Sequence, residues 1–456
     1  RSRMKLLIIG GSDAGISAAL RARELDRSVE VSVLVADDFP NYSICGLPFF
    51  LSGETPDWHN LAHRTEFEGI DVRRGHTATR IDPATKTVDV RTIAAGDLRF
   101  SYDKLVIGTG AGPVEPPIEG WRSPGIFPLH TVHDSFAVHD YLETAKPKRA
   151  VIIGAGYIGL EMADALTHRG IEVTVACRPA TVLSTVDAEF GSAVADELQR
   201  HGVKVHTSVE AHRITRDRDH FRVSGSNEFD QDCEMVLVAV GVKPNTALGT
   251  QAGLETGVKG ALKVNRRMET RFSDIYVAGD CGETFHRILN RNTYLPLGTT
   301  AHKQGRVAAE NVLGGNREFA GSLGTQVVKI FNLVIARTGL RHDEATREAF
   351  DPFTTESTIN DHKAYYPGAT QLCVRVTGDV DTGRLLGAQL MGAWGAEVSK
   401  RLDLFATALF HGMKVDEISD LDLSYTPPLS SPWDPVQMAS QAWCAKVNSL
   451  TEKQSV

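Results

Sequence analysis

Short apolar runs alternate with longer stretches of mixed polarity along most of this chain. Leu6-Leu7-Ile8-Ile9 reads as a buried strand, Gly10-Gly11-Ser12-Asp13-Ala14-Gly15 as a tight turn, and Ile16 to Leu25 as a helix. The same series returns as Ala150 to Ile153, then Gly154-Ala155-Gly156-Tyr157-Ile158-Gly159, then Leu160 to Arg169. Each copy leads into a further strand, Val29 to Val35 and Glu172 to Ala176. One β-α-β unit thus occurs twice, which predicts an α/β fold with parallel sheets and two dinucleotide sites. Leu105 to Ile107, Met235 to Val240 and Asp274 to Asp280 read as further strands, and Pro113 to Pro117 as a crossover linker. From about Gly324 the texture changes. Val327 to Ile330, Leu372 to Val376 and Leu385 to Leu390 predict an antiparallel sheet, Lys400 to Phe410 a helix, and Val447 to Val456 a frayed tail.

Composition narrows the function. The chain has 456 residues, with 49 Lys and Arg against 57 Asp and Glu, a net charge of −8. That balance argues against a nucleic-acid binder, because phosphate binding needs a concentrated basic face. No apolar run reaches the length of a membrane span, and no signal peptide fits the start. Arg1-Ser2-Arg3 ahead of Met4 is expected to be an appended remnant. Six cysteines, Cys45, Cys177, Cys233, Cys281, Cys373 and Cys444, are scattered without a CxxC. They make neither a zinc ribbon nor a disulfide scaffold, so no metal site is expected and a reducing, cytoplasmic setting is.

The glycine clusters carry the first chemistry. Gly154, Gly156 and Gly159 fill G-x-G-x-x-G between a strand and a helix, a spacing that lets backbone approach a pyrophosphate at a helix N-terminus. An acid after the next strand would take the 2′-hydroxyl of NADH. Cys177 and Arg178 stand there, and Arg178 suits the 2′-phosphate of NADPH. Gly10, Ser12 and Gly15 form the weaker cluster. Val35 occupies the expected acid position, and Asp37 is the nearest candidate for an adenosine ribose, with a solvated turn as the alternative. Cys45 lies in Ser43-Ile44-Cys45-Gly46-Leu47-Pro48, where Pro48 predicts a helix start just after the thiol. A helix N-terminus there predicts a depressed thiol pKa.

The order of these motifs resembles that of the flavin-dependent pyridine nucleotide-disulfide oxidoreductases, from about Met4 to Trp443. More narrowly it resembles their single-cysteine branch, which holds coenzyme A-disulfide reductases, persulfide reductases, NADH oxidases and NADH peroxidases. The carrying motifs are the two glycine clusters, Ser43 to Pro48, Gly108-Thr109-Gly110-Ala111, Ala278-Gly279-Asp280 and Tyr425 to Pro435. The resemblance implies two Rossmann-like domains and a C-terminal α+β dimerisation domain. The expected division is an FAD domain over residues 1–113 and 246–323, an NAD(P)H domain over 114–245, and the dimerisation domain over 324–456.

By the same resemblance FAD is held by Gly10 to Gly15, Thr109-Gly110-Ala111, Gly279, Asp280 and the helix start at Thr299-Thr300-Ala301. NADPH or NADH is held by Gly154, Gly156, Tyr157, Ile158, Gly159, Arg178 and Gly241. Glu161 lies near the meeting point of nicotinamide and flavin. Cys45 is the redox thiol, cycling as thiolate, mixed disulfide, persulfide or sulfenic acid. The two-cysteine reductases carry their second thiol five positions on, where this chain has Phe50. Tyr425, with Tyr365 or Tyr366, is expected to reach the Cys45 of a partner subunit, which makes a homodimer necessary.

Three departures bear on the substrate. Asp13 stands where the peroxidases and oxidases carry a histidine, and Ile44 where coenzyme A reductases carry an asparagine. Arg23 matches a basic residue near coenzyme A phosphates, an exposed helix arginine being the alternative. The expected activity is NAD(P)H-dependent reduction of a small disulfide, persulfide or polysulfide. The alternatives are an oxidase or peroxidase, a reductase for a protein electron carrier, and a non-enzymatic flavoprotein.

Overall fold

The computed structural model describes residues 3–454; Arg1 and Ser2, on which the expectation of an appended remnant falls, lie outside them. Two five-stranded parallel sheets carry the two repeated units. In the first, strands Ile275–Val277, Lys104–Ile107, Lys5–Ile9, Glu30–Leu34 and Ile70–Arg73 lie side by side in that order. In the second the order is Lys204–His206, Glu172–Ala176, Arg149–Ile153, Met235–Val238 and Ile126–Pro128. Central strands covered on both faces need continuous apolar runs. Ile8, Val106, Val151 and Ile152 are accordingly buried, each such side chain contributing about 1.5–3 kcal/mol. The helices Asp13–Leu25 and Tyr157–His168 follow the two glycine turns.

The chain leaves the first sheet through Ala111–Pro113 and returns through Val242–Pro244, and these two crossover strands pair antiparallel. The C-terminal part is an antiparallel sheet, Gln326–Ile330, Leu333–Gly339, Leu385–Ala393, Gln371–Asp379 and Pro352–Asn360 in spatial order. Leu333–Gly339 and Pro352–Asn360 are strands the apolar pattern missed.

The tail expected to fray is instead helical. Pro435–Gln454 forms one helix, with Ser455 and Val456 outside the described residues. Val436, Ser440, Trp443 and Val447 place one buried stripe on the sheet, and the Trp443 indole donates to the Phe353 carbonyl at 2.8 Å. Among the described residues no helix is long and apolar enough to cross a membrane.

Candidate active site

Both glycine loops are shaped by close backbone approach. Gly10 has φ +114°, and a Cβ there would lie 1.9 Å from the Gly108 carbonyl oxygen. Gly154 has φ +111°, and its Cβ would lie 2.0 Å from the Ala239 carbonyl oxygen. No L residue fits either place without moving the neighbouring strand. Around Gly156, by contrast, a Cβ would meet nothing within 4 Å, so the middle of the second loop is an open cradle at the start of the Tyr157–His168 helix. Ser12 holds the corresponding place in the first loop, exposed and making no capping bond.

Behind the first loop the cofactor candidates converge. A Cβ at Gly279 would lie 2.8 Å from the Ala14 Cβ and 3.7 Å from that of Ala301, so three segments meet there. Thr300 is buried and its hydroxyl lies 3.3 Å from that of Ser322, while Thr299 is exposed. The Thr109 hydroxyl donates to the Asn245 carbonyl at 2.7 Å, and the Asn245 N–H donates to the Gly110 carbonyl at 2.9 Å. Asn245 thus staples this loop from the returning crossover. Gln304, which accepts the Gly279 N–H at 2.8 Å, supports the same corner. Neither residue stood out in the sequence, because each acts across more than one segment.

Asp280 fits a bound flavin cofactor. Burial, reinforced by Asp13, pushes its carboxyl up to about 6. Its own carbonyl accepts from the Tyr294 hydroxyl at 2.7 Å, but no protein donor reaches its carboxylate among the described residues. A ligand hydroxyl would supply that donor.

Asp37 is placed differently. Its carboxylate accepts the Phe39 N–H at 2.8 Å, so it closes a turn. Val35 holds the strand-end position and packs on the first loop, 2.6 Å from where a Gly11 Cβ would be. Arg178 is exposed and without a partner among the described residues, directly after the Glu172–Ala176 strand and Cys177. Gly241, at φ +107°, is exposed beside the crossover strand. Arg23 is engaged internally: its guanidinium donates to the Arg27 and Val29 carbonyls.

Cys45 sits in a single 3-10 turn, Ile44–Gly46, capped by the Ser43 hydroxyl, which accepts the Gly46 N–H at 3.1 Å. The helix that follows, Leu47–Ser52, buries Leu47, Phe50 and Leu51 in the same cluster as Leu160 and Met162 of the Tyr157–His168 helix. The Arg169 guanidinium donates to the Leu51 carbonyl and ties the two helices end to side. Phe39, Tyr42, Trp58 and Phe136 pack edge to face beside them, with ring centroids 5.1–5.7 Å apart for the Phe39–Tyr42, Phe39–Trp58, Phe39–Phe136 and Trp58–Phe136 pairs. This packing brings the Cys45 thiol within electrostatic reach of Glu161.

The thiol pKa moves opposite to the expectation. Cys45 is exposed, yet the protein around it partly desolvates the sulfur, and the Glu161, Asp13 and Asp280 carboxylates act in the same direction. The thiol is therefore raised, not depressed. A short helix start is outweighed by desolvation and three carboxylates.

Glu161 is itself pushed up to about 7, first by burial and then by Asp164 one turn on. Asp164 accepts the Phe331 N–H at 2.8 Å. Asp13 is raised by burial, with His63 and His302 opposing. The His302 Nδ1 lies 2.8 Å from the Ser17 hydroxyl.

Tyr365 stands by Tyr425 and raises the Tyr425 phenol. Both are exposed, as is Tyr366, whose ring meets that of His362 edge-on at 5.8 Å. Within one chain these tyrosines make no contact with Cys45 among the described residues.

Comparison with known proteins agrees with this arrangement. The pattern of the family described as pyridine nucleotide-disulphide oxidoreductase matches residues 4–305, and that of its dimerisation domain matches residues 325–435. The NAD(P)H sulfur oxidoreductase (CoA-dependent) of Pyrococcus furiosus is 35% identical, over 95% of this chain and 98% of that protein. The NADH oxidase of Methanocaldococcus jannaschii is 30% identical, over 98% and 100%. The solved structure of an NAD-dependent persulfide reductase from A. fulgidus superposes with a TM-score of 0.94 at 35% identity, covering 98% of this chain and 84% of that one. With Cys45 and Phe50 in place of a thiol pair, the chain belongs to the single-cysteine branch of the pyridine nucleotide-disulphide oxidoreductase family.

Proposed function

We propose that this protein is an FAD-dependent NAD(P)H oxidoreductase that reduces a small disulfide, persulfide or polysulfide through Cys45. The observation that carries this reading is the exposed Cys45 thiol beside Glu161, Asp13 and Asp280, with no second cysteine in reach to close an internal disulfide. Relatives named for sulfur and persulfide reduction support it. When bound, FAD supplies the two-electron exchange between nicotinamide and sulfur. The Asp280 carboxylate accepts from its hydroxyls, and the loops Gly10 to Gly15 and Thr109 to Ala111 cradle it. The open place at Gly156 takes the pyrophosphate of the nicotinamide nucleotide. Arg178 takes a 2′-phosphate, which favours NADPH.

The raised thiol needs a base close by. Glu161, near 7, accepts the proton from Cys45 Sγ and returns it later in the cycle. The Cys45 thiolate attacks one sulfur of R–S–S–R, the S–S bond breaks, and RS⁻ leaves with a proton from the site. Two electrons from NAD(P)H then cleave the mixed disulfide, which releases the second thiol and restores the Cys45 thiolate.

The dimerisation-domain match supports a homodimer, in which the partner subunit's Tyr425 and Tyr365 or Tyr366 complete each site. The domain division proposed is 1–113 with 246–323, 114–245, and 324–456. All six cysteines are free, which supports a reducing, cytoplasmic setting. A second reading, reduction of O2 or peroxide through a Cys45 sulfenic acid, is favoured by His63 and His302 facing Asp13 and by the NADH oxidase relative.

Cys45→Ser tests the mechanism. It is expected to retain FAD and its reduction by NADPH while disulfide and polysulfide reduction falls to background. Wild-type turnover in this variant would overturn the proposal.

A further inference from the structure

The turn after the Glu172–Ala176 strand is strained and tied from two sides. Leu183 takes φ 50°, a backbone conformation that bulky L residues rarely adopt. Such residues persist where their surroundings over-determine them, and they cluster at ligand clamps. One set of ties runs to the second glycine loop. The Leu183 N–H donates to the Ala155 carbonyl at 2.8 Å. The Thr185 hydroxyl donates to the Tyr157 hydroxyl at 3.4 Å.

The other set runs to the C-terminal sheet. Arg337 donates to the Thr185 carbonyl at 2.6 Å and Arg341 to the Val186 carbonyl at 3.0 Å. Arg375 donates to the Asp187 carboxylate at 2.8 Å. Gln389 accepts the Asp187 N–H and donates to its carboxylate, both at 2.8 Å.

Asp187 is the informative residue. It stands at the N-cap of the Ala188–Arg200 helix, yet its side chain makes no capping bond. An aspartate there ordinarily accepts from a first-turn N–H. Here that bond is forgone for Arg375 and Gln389. Arg375 in turn is fixed by Glu356 at 2.7 Å and Glu189 at 3.1 Å, and lies 5.1 Å from the centre of the Phe190 ring. Arg337 is buried and pairs with Glu344 at 2.9 Å. Apolar side chains from the same two regions, Val328 and Ile330 with Phe190 and Leu198, already share one core cluster. A partly buried ionic network adds little adhesion to such a joint. What it adds is a fixed geometry for Thr185 to Asp187.

We propose that Arg337, Arg341 and Arg375 are positioning residues for the nicotinamide nucleotide, fixing the Gly154 to Gly159 loop through the Leu183–Asp187 turn. Affinity for the nucleotide is thereby set in part by the C-terminal domain, although none of the three arginines belongs to the loop. The inference rests on the reading of that loop as the nucleotide site.

The test uses the FAD-loaded protein and its Arg375→Gln, Arg375→Lys and Asp187→Asn variants. NADP⁺ affinity is measured by titration calorimetry, and KM separately for NADPH and for inorganic polysulfide. FAD content and Cys45 alkylation report the integrity of the rest of the site. Arg375→Gln and Asp187→Asn are expected to raise the NADP⁺ Kd and the NADPH KM roughly three- to tenfold. The polysulfide KM, FAD content and alkylation rate stay at wild-type values, and Arg375→Lys recovers most of the loss. Unchanged nucleotide affinity in both variants overturns the inference. So does a parallel rise in both KM values, or loss of FAD, since either marks a general structural role. A wild-type protein that binds neither NADP⁺ nor NAD⁺ overturns the underlying reading of the loop instead.

Discussion

Cys45 takes its acidity first from partial desolvation of the sulfur and then from carboxylates that the chain delivers from three directions. Glu161, Asp13 and Asp280 all raise the thiol, and each belongs to a different β-α-β or strand-end segment. Glu161→Gln removes one of these charges. It is expected to lower the Cys45 pKa, seen as faster alkylation by iodoacetamide at neutral pH; slower alkylation would contradict the electrostatic account. The carboxyls carry a second consequence. Glu161 rises from 4.5 to about 7 and Asp280 from 3.8 to about 6. Both bind a proton more tightly folded than unfolded. Their contribution to stability is complete below the unfolded values, falls as pH climbs from those values toward the folded ones, and is gone above about 6 for Asp280 and about 7 for Glu161. For Glu161 the loss is about 3 kcal/mol, and Glu161→Gln should flatten the fall of Tm across that window. The identity of these residues was legible in the sequence, but the direction of the thiol shift was not. A local reading sees Pro48 and a helix start; it does not see carboxylates more than thirty or a hundred positions away.

The two glycine turns were the most legible elements, because their geometry is written into adjacent residues. They also separate folding from binding. Gly154→Ala places a Cβ against the Ala239 carbonyl at a left-handed φ, and is expected to cost at least about 1–3 kcal/mol of stability. Gly156→Val fills a space with no neighbour within 4 Å. It should melt near the wild type yet weaken NADP⁺ roughly tenfold or more. Equal destabilisation by both would contradict the open cradle. The C-terminal helix was misread for the opposite reason. Val436, Ser440, Trp443 and Val447 do recur at helical spacing. Polar residues such as Lys446, Asn448 and Glu452 lie between and after them, and the stripe acquires meaning only once the antiparallel sheet offers a face to cover.

At the scale of the whole molecule, the site is a joint between units distant in sequence. The Leu47–Ser52 helix of the first unit packs on Glu161's helix in the second, and the second is clasped by arginines of the third. Contacts such as Asp187 with Arg375 span more than 180 positions, so no local pattern announces them. The tyrosine pair Tyr365 and Tyr425 stays exposed within one chain. That arrangement predicts activity only as a dimer, with Tyr425→Phe slowing disulfide reduction and sparing flavin reduction by NADPH. An active monomer in analytical ultracentrifugation at assay concentration would contradict it.

The central claim is that electrons from NADPH leave the protein through Cys45 onto a sulfur–sulfur bond. Its most direct measurement is anaerobic NADPH oxidation by the purified protein across a panel of small disulfides and inorganic polysulfide, with thiol or sulfide release counted alongside and an aerobic control lacking disulfide. The account predicts fast anaerobic turnover on at least one member, with two thiols released per NADPH for a disulfide. Turnover confined to the aerobic control would contradict it and make oxygen the acceptor.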